Sequence, residues 1–152
     1  MPDQLQETID YVALTRLQSA YADVVNRRAW PELEQLFLPG APVRVDTVTN
    51  PVIDVTGPAE LGAFIGGAIE RFEFFEFVVL NMTVEIDGDA ARGRVYMCEL
   101  RQERECGRFT RAFGLYRDGY RRVDGRWWFA GRRYQSLARN GRGEVFAFPE
   151  EE

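Results

Sequence analysis

From residue 9 to residue 25, apolar side chains recur at three- and four-residue steps: Ile9, Val12, Ala13, Leu17, Ala20, Tyr21, Val24 and Val25. That spacing gathers them along one side of a helix. Asp3 or Thr8 would cap its start, and Asn26 with the arginine pair after it ends it. Trp30-Pro31 opens a second, short helix, because the N–H that proline lacks has no partner in a first turn anyway. Leu33, Leu36 and Phe37 give this helix a narrow apolar face, and Pro39-Gly40 stops it. Two short extended runs, 43–49 and 52–55, lie on either side of Asn50-Pro51. A third helix over 59–72 carries the stripe Leu61, Phe64, Ile65 and Ile69. Glycines at 62, 66 and 67 weaken it by about 1 kcal/mol each relative to alanine, which points to close packing on a sheet.

The pattern then changes period. Four long alternating runs follow, over 74–86, 91–104, 109–123 and 126–137, separated by Asp87-Gly88, Cys106-Gly107 and Asp124-Gly125. Asp-Gly between alternating runs is a hairpin signal, since glycine accepts the positive φ of the tight turn. Helices first and an antiparallel meander afterwards make an α+β plan. The length suits one domain over 1–138, followed by a polar, acidic tail over 139–152 whose apolar patch, Val145 to Phe148, is able to dock on a neighbouring surface.

Composition narrows the chemistry. The 152 residues include no histidine, so Ser-His-Asp and Cys-His arrangements and histidine metal sites are excluded. Proton chemistry falls to carboxylates, tyrosines, arginines or an amide. The net charge of −5, from 24 acids and 19 bases, disfavours a phosphate-backbone partner. Arg117, Arg121, Arg122, Arg126, Arg132 and Arg133 cluster late. Alternation places them outward on a solvated sheet face, with a local anion site as the sharper alternative. Cys98 and Cys106 form no metal or redox motif and read as reduced, core-side thiols. No apolar run approaches the ~18 residues of a membrane span. The acidic, polar opening reads as no secretory leader, so a soluble cytoplasmic protein is expected.

Three stretches carry a resemblance. Tyr21-Ala-Asp-Val-Val-Asn-Arg-Arg-Ala-Trp30, followed by Leu33 and Leu36-Phe37, resembles the helix end of scytalone dehydratases and SnoaL-like proteins. Residues 81–93 read N-x-x-V-E-I-D-G-D-x-A-x-G. Gly114-Leu-Tyr-Arg-Asp-Gly-Tyr, Val123-Asp-Gly-Arg-Trp-Trp-Phe and Arg133-Tyr134 resemble the closing meander of bacterial SnoaL-like proteins. The chain thus resembles the SnoaL-like, nuclear transport factor 2-like superfamily. That implies a cystatin-like cone: N-terminal helices packed in a curved, mostly antiparallel sheet around an apolar pocket. The superfamily holds dehydratases, isomerases, cyclases, epoxide hydrolases and non-enzymes, so the activity rests on the site.

Carried over by residue, the scytalone dehydratase pattern places its helix-end Tyr-Asp pair on Val25-Asn26 and its pocket histidine near Phe77, which argues against that chemistry. The ketosteroid isomerase pattern implies Tyr21 as a hydrogen-bond donor to an enolate, a general base beside Asp46 but one residue out of register, and a second donor near the displaced Asp118. The limonene epoxide hydrolase pattern finds Arg101-Gln102-Glu103 at the right spacing, but its partner acid falls on Arg133. From the residues alone, Val95, Met97, Glu99, Arg101 and Glu103 share one face of their strand, and Tyr96, Cys98 and Leu100 the other. If the first face looks inward, Glu99 sits in an apolar lining and its proton affinity rises. If the second does, Glu99 and Arg101 form a surface ladder.

The expectation is a cofactor-free, metal-free isomerase, dehydratase or cyclase acting on a hydrophobic cyclic or polycyclic ketone, phenol or polyketide-like compound. Tyr21, Asp46 and Glu99 are its candidate catalytic residues. Asn26, Trp30, Phe77, Arg101, Phe113, Tyr116 and Tyr134 are its candidate ligand contacts, with Phe74, Phe75 and Trp128 as further wall. A non-catalytic binding or accessory protein, or an interaction module, are the alternatives. A homodimer through the outer sheet face, or a higher assembly, is expected.

Overall fold

The computed structural model describes residues 3–140 and 144–148. The remainder of the expected tail, 141–143 and 149–152, lies outside the described residues. Helix α1 spans Gln4–Arg27, and its N-cap Asp3 accepts from the Leu5 N–H at 3.0 Å. It ends where Arg28 turns left-handed at φ 57°. Trp30–Gln35 forms a 3-10 helix with Pro31 in its first turn. Strands β1 (Pro42–Asp46) and β2 (Ile53–Thr56) pair as a hairpin, and α2 runs over Gly57–Ile69. The long strands are β3 (Phe72–Asp87), β4 (Ala90–Glu103), β5 (Phe109–Val123) and β6 (Arg126–Arg139). A two-residue β7, Glu144–Val145, adds to β6.

The strands form one curled, unclosed sheet in the order β2-β1-β6-β5-β4-β3, antiparallel except where β1 runs parallel to β6. Its concave face takes α1, and α2 closes the open end. The architecture is α+β, a cone of helices in a curved sheet.

Two details of the helices depart from the sequence pattern. Ile9 and Val12 are exposed, whereas Asp10 and Gln18 are buried. These two polar residues face the sheet because it supplies partners: the Trp127 indole N–H and the Arg122 guanidinium donate to Asp10 at 3.1 and 2.7 Å. The glycines of α2 do not meet the sheet. A Cβ on Gly62 would lie 3.1 Å from the Trp30 Cβ, and one on Gly66 3.0 Å from its indole nitrogen. Gly62 and Gly66 form a notch for Trp30, while Gly67 faces open space.

Bulges set the facing of the sheet. Across β5 and β6, Gly119 pairs with Gly131 but Tyr120 pairs with Phe129, leaving Ala130 as an extra residue. Each bulge moves the inward set by one position. Before it Trp127 and Phe129 are buried; after it Arg132, Tyr134 and Ser136 are. Arg132 is therefore a core residue, not a member of the solvated arginine face. Leu80 is the corresponding extra residue on β3, and it is exposed. Cys98 is buried on the convex side, next to Phe113 across β5, while Cys106 lies exposed in the turn; both thiols are free. No described helix is long and apolar enough to cross a membrane.

Candidate functional site

The concave face and the two helices enclose a cavity of about 170 Å³. The strand register lays out its floor. Val95, Tyr116 and Tyr134 stand side by side across β4, β5 and β6. Two inward positions further along, Glu99, Ala112 and Arg139 form a second row, with Arg101 beyond it. Four residues of strand separate the rows, about 13 Å at the usual rise. Between them Gly114 makes room: a Cβ there would lie 2.1 Å from a Tyr134 ring atom, so only glycine lets that ring lie across β5. Leu61, Ile65 and Ile69 of α2, with Phe75 and Phe77 of β3, supply an apolar wall.

The inner end is built on a buried ion pair. The side chains of Arg132 and Asp118 are both fully buried. Arg132 donates to Asp118 through Nε at 2.7 Å and Nη2 at 2.9 Å, and to the Gln18 side-chain oxygen Oε1 at 2.8 Å. The Gln18 amide donates to Asp118 and to the Tyr120 hydroxyl, both at 2.6 Å. Burial opposes the charge on Arg132, but Asp118 outweighs it and the guanidinium is held more firmly charged than usual. Its carbon lies 3.7 Å from the Tyr116 ring centroid and 4.4 Å from that of Tyr21. Its Nη1 is buried with no hydrogen-bond partner, and Arg132 lines the cavity. Asp118 is thus an interior residue.

Burial pushes Tyr21, Tyr116 and Tyr134 above the ordinary tyrosine value, so they remain phenols able to donate. The Arg132 charge and a hydrogen bond with Tyr116 temper the shift at Tyr21. Glu99 is the sole carboxylate among the described lining residues. Burial raises its proton affinity, while the Arg101 and Arg71 charges act against that. Its contact with Arg101 is loose, at 3.7 Å. Arg101 donates instead to the Thr110 hydroxyl at 3.1 Å.

The structure thus brings Tyr21, Phe77, Glu99, Arg101, Tyr116 and Tyr134 around one cavity and puts the Val95/Met97 face inward. Asp46, Asn26, Trp30 and Phe113 do not line it. Asp46 accepts from the Val48 N–H at 2.8 Å in the loop after β1. Asn26 accepts from the Phe77 N–H at 2.6 Å and donates to the Phe77 carbonyl at 3.2 Å, clamping α1 to β3. Trp30 fills the α2 notch. Phe113 and the exposed Phe74 lie on the convex face, and Trp128 lies under Arg126, whose guanidinium carbon is 4.1 Å from its ring. Sequence reasoning missed Gln18 and Arg132. The available signal was Gly131, since an isolated glycine inside a strand marks a bulge. Among the described residues, no three His, Cys, Asp or Glu side chains gather where they could hold a metal ion.

The profile of the SnoaL-like domain matches residues 6–133. No curated protein matches the chain. Solved structures share its fold. The hexachlorocyclohexane dehydrochlorinase LinA-type3 of Novosphingobium barchaimii superposes with a TM-score of 0.80 at 19% identity, over 97% of this chain and 100% of its own. A candidate scytalone dehydratase of Novosphingobium aromaticivorans gives 0.75 at 17% identity, over 94% and 91%. A nuclear transport factor 2-like protein with a cystatin-like fold from the same species gives 0.72 at 20% identity, over 93% of each.

Proposed function

The chain belongs to the SnoaL-like domain family, and from that premise we propose that it is a small-molecule enzyme that moves a proton on a hydrophobic ring compound, with Glu99 as the proton carrier. One observation carries this reading: a lone carboxylate, biased by burial toward its protonated form, faces phenol donors across an apolar cavity. A carboxylate of raised pKa operates closer to neutral pH than an ordinary glutamate, which favours general acid–base work. The step is an enolisation. Glu99 takes a proton from the carbon beside a carbonyl, the C–H electrons pass to the carbonyl oxygen, and the proton returns at a second carbon (isomerisation) or a β-substituent leaves (elimination). The Tyr116 and Tyr134 hydroxyls and the unpartnered Arg132 Nη1 are the donors for the developing oxyanion. Tyr21 backs them from α1.

Of the two acids the sequence offers, this assigns the role to Glu99, because Asp46 lies outside the cavity. Asn26 serves by holding Phe77 in the wall. Size selects the ligand class. An apolar cavity of about 150 Å³ accepts benzene, so a cavity of about 170 Å³ suits one ring and its substituents rather than a polycycle. LinA-type3 is named for dehydrochlorinating a ring compound, which agrees with the eliminating form of the step. The functional unit is taken as residues 1–138, working as a cytoplasmic homodimer through the convex face, where Phe74, Leu80 and Phe109 are exposed.

The test is α-deuterium exchange in D2O, followed by proton NMR, over cyclohexanones and cyclohexenones. Wild type should exchange at least one of them faster than buffer, and Glu99→Gln should lose about a hundredfold or more of that rate. Equal rates in the two proteins would remove Glu99 from the role. A second reading, ligand binding without catalysis, is favoured by Asn26 and Phe77, which bind each other where the resemblance places an acid and a histidine. Saturable binding of these ketones with no exchange would establish it instead.

A further inference from the structure

The cavity mouth carries more positive charge than the protein neutralises. The lining includes Arg71, Arg101, Arg132 and Arg139 against Glu99 alone. Arg132 is paired with Asp118. Arg139 donates to Glu144 at 2.8 Å and to the Thr49 hydroxyl at 2.9 Å. Glu103, the next inward position along β4, takes Arg108 at 3.8 Å and the Cys106 thiol at 3.1 Å. That leaves Arg71 and Arg101 sharing Glu99, with Glu103, engaged by Cys106 and Arg108, acting on them only as a weaker, more distant charge. Both guanidinium carbons lie near one ring, that of Phe72, at 4.8 and 5.2 Å from its centroid. Among the described residues the Arg71 side chain has no ion pair within 4 Å; it packs on the Phe72 ring and acts on Glu99 and Glu103 only through charge at longer range. Arg101 is the buried member of the two, its side chain 13% exposed.

We propose that the natural ligand of this cavity is a ring monocarboxylate, its carboxylate held at the mouth by Arg71 and Arg101 and its ring directed inward past Glu99. This rests on the reading that the cavity takes a small ring compound. Two cations require two anions for neutrality. The cavity lining supplies one, Glu99, since Glu103 is engaged by Arg108 and Cys106, and a monocarboxylate supplies the other; a phosphate dianion would overshoot. Arg101 shows the deficit. Burial first, then repulsion from Arg71 and Arg139, lowers its pKa, and Glu99 restores it only in part. A buried guanidinium that is under-compensated by its own protein gains most from a charged ligand, through short, charge-assisted hydrogen bonds. The surrounding protein is acidic, with a net charge of −5, so the mouth is a local reversal of sign.

The experiment is calorimetric titration of the full chain with benzoate and cyclohexanecarboxylate and with their neutral amides, benzamide and cyclohexanecarboxamide. Arg71→Gln and Arg101→Gln are compared with wild type. Arg92→Gln, an exposed arginine paired with Glu85, is the control for a change of net charge. At least one carboxylate should bind about tenfold tighter than its amide. Either mouth substitution should remove most of that preference while leaving amide affinity unchanged, and the control should alter neither. Equal affinity of acid and amide overturns the proposal and leaves the ring cavity intact. Carboxylate binding that ignores both mouth arginines also overturns it, because the anion then sits elsewhere. Absence of binding by all four probes overturns the monocarboxylate class, while the Glu99-dependent exchange of ketones decides the underlying reading separately.

Discussion

Asp118→Asn is expected to be the most damaging conservative change in this protein. The amide is nearly isosteric, so packing is retained. It cannot, however, accept hydrogen bonds at both ends of the group as the carboxylate does. In the structure Asp118 takes Arg132 Nε and Nη2, the Gln18 amide and the Tyr120 hydroxyl, all within 2.6–2.9 Å, and its side chain has no exposure. The substitution leaves a fully buried guanidinium without its counter-charge and turns the new amide N–H groups toward other donors. Removing one partner of a buried pair costs about 3–5 kcal/mol. In a chain of 152 residues each kcal/mol moves the midpoint by about 2–4 °C, so the expected fall is on the order of 10 °C. Urea unfolding followed by tryptophan fluorescence, with the melting curve as a second probe, measures it. The combined replacement Arg132→Met, Asp118→Leu and Gln18→Leu should cost less than Asp118→Asn alone, because an apolar set carries no unpaired charge. A loss below about 1 kcal/mol for Asp118→Asn, or a triple variant less stable than the single one, would refute the assignment of this pair as an uncompensated-charge hazard.

Glu99→Gln should gain stability relative to wild type as pH rises. Burial raises the folded-state pKa of Glu99, so the folded protein binds the proton more tightly than the unfolded chain; the stability this gives is complete below the ordinary glutamate value and is lost as pH rises through the raised one. Urea midpoints of both proteins across that window check the sign, and a difference that shrinks with rising pH contradicts it. Gly114→Ala drives a methyl into the Tyr134 ring and should cost about 1–3 kcal/mol with a changed near-ultraviolet tyrosine signal; an unperturbed variant would show that the ring is free to move aside. Asn26→Asp keeps the acceptor for the Phe77 N–H but sets a carboxylate against the Phe77 carbonyl, and should destabilise by about 1–3 kcal/mol, read as a lower urea midpoint; unchanged stability would mean the clamp to β3 is unimportant.

The long strands and their turns are legible because their signals are local. Alternation from Phe109 to Val123 and the Asp124-Gly125 turn need no knowledge of partners, and the observed β5 has those same limits. The site is less legible because it depends on choices the chain records only weakly. Alternation states that Glu99 and Tyr96 face opposite ways; it does not state which side is concave. Phe113 looks like pocket wall by type, yet one register step puts it on the convex face and Ala112 inside. Arg132 looks solvated by type, and only the extra residue at Ala130 turns it inward. Asp10 and Gln18 break the apolar stripe of α1 for partners roughly a hundred residues away in sequence. Resemblance supplied the cone, but the roles at Asn26 and Phe77 came from their mutual hydrogen bonds.

The extra residue at Ala130 has an evolutionary meaning. With Ala130 retained but paired instead of bulged, strict alternation from Phe129 would present Arg133, Gln135 and Leu137 to the interior in place of Arg132, Tyr134 and Ser136. No point substitution could exchange three lining side chains at once. In a sheet of this kind the choice between bulged and paired acts as a gear change for chemistry: a relative lacking both the bulge and its extra residue keeps the same interior, and one aligned across this strand without a gap at Ala130 will be credited with the wrong one.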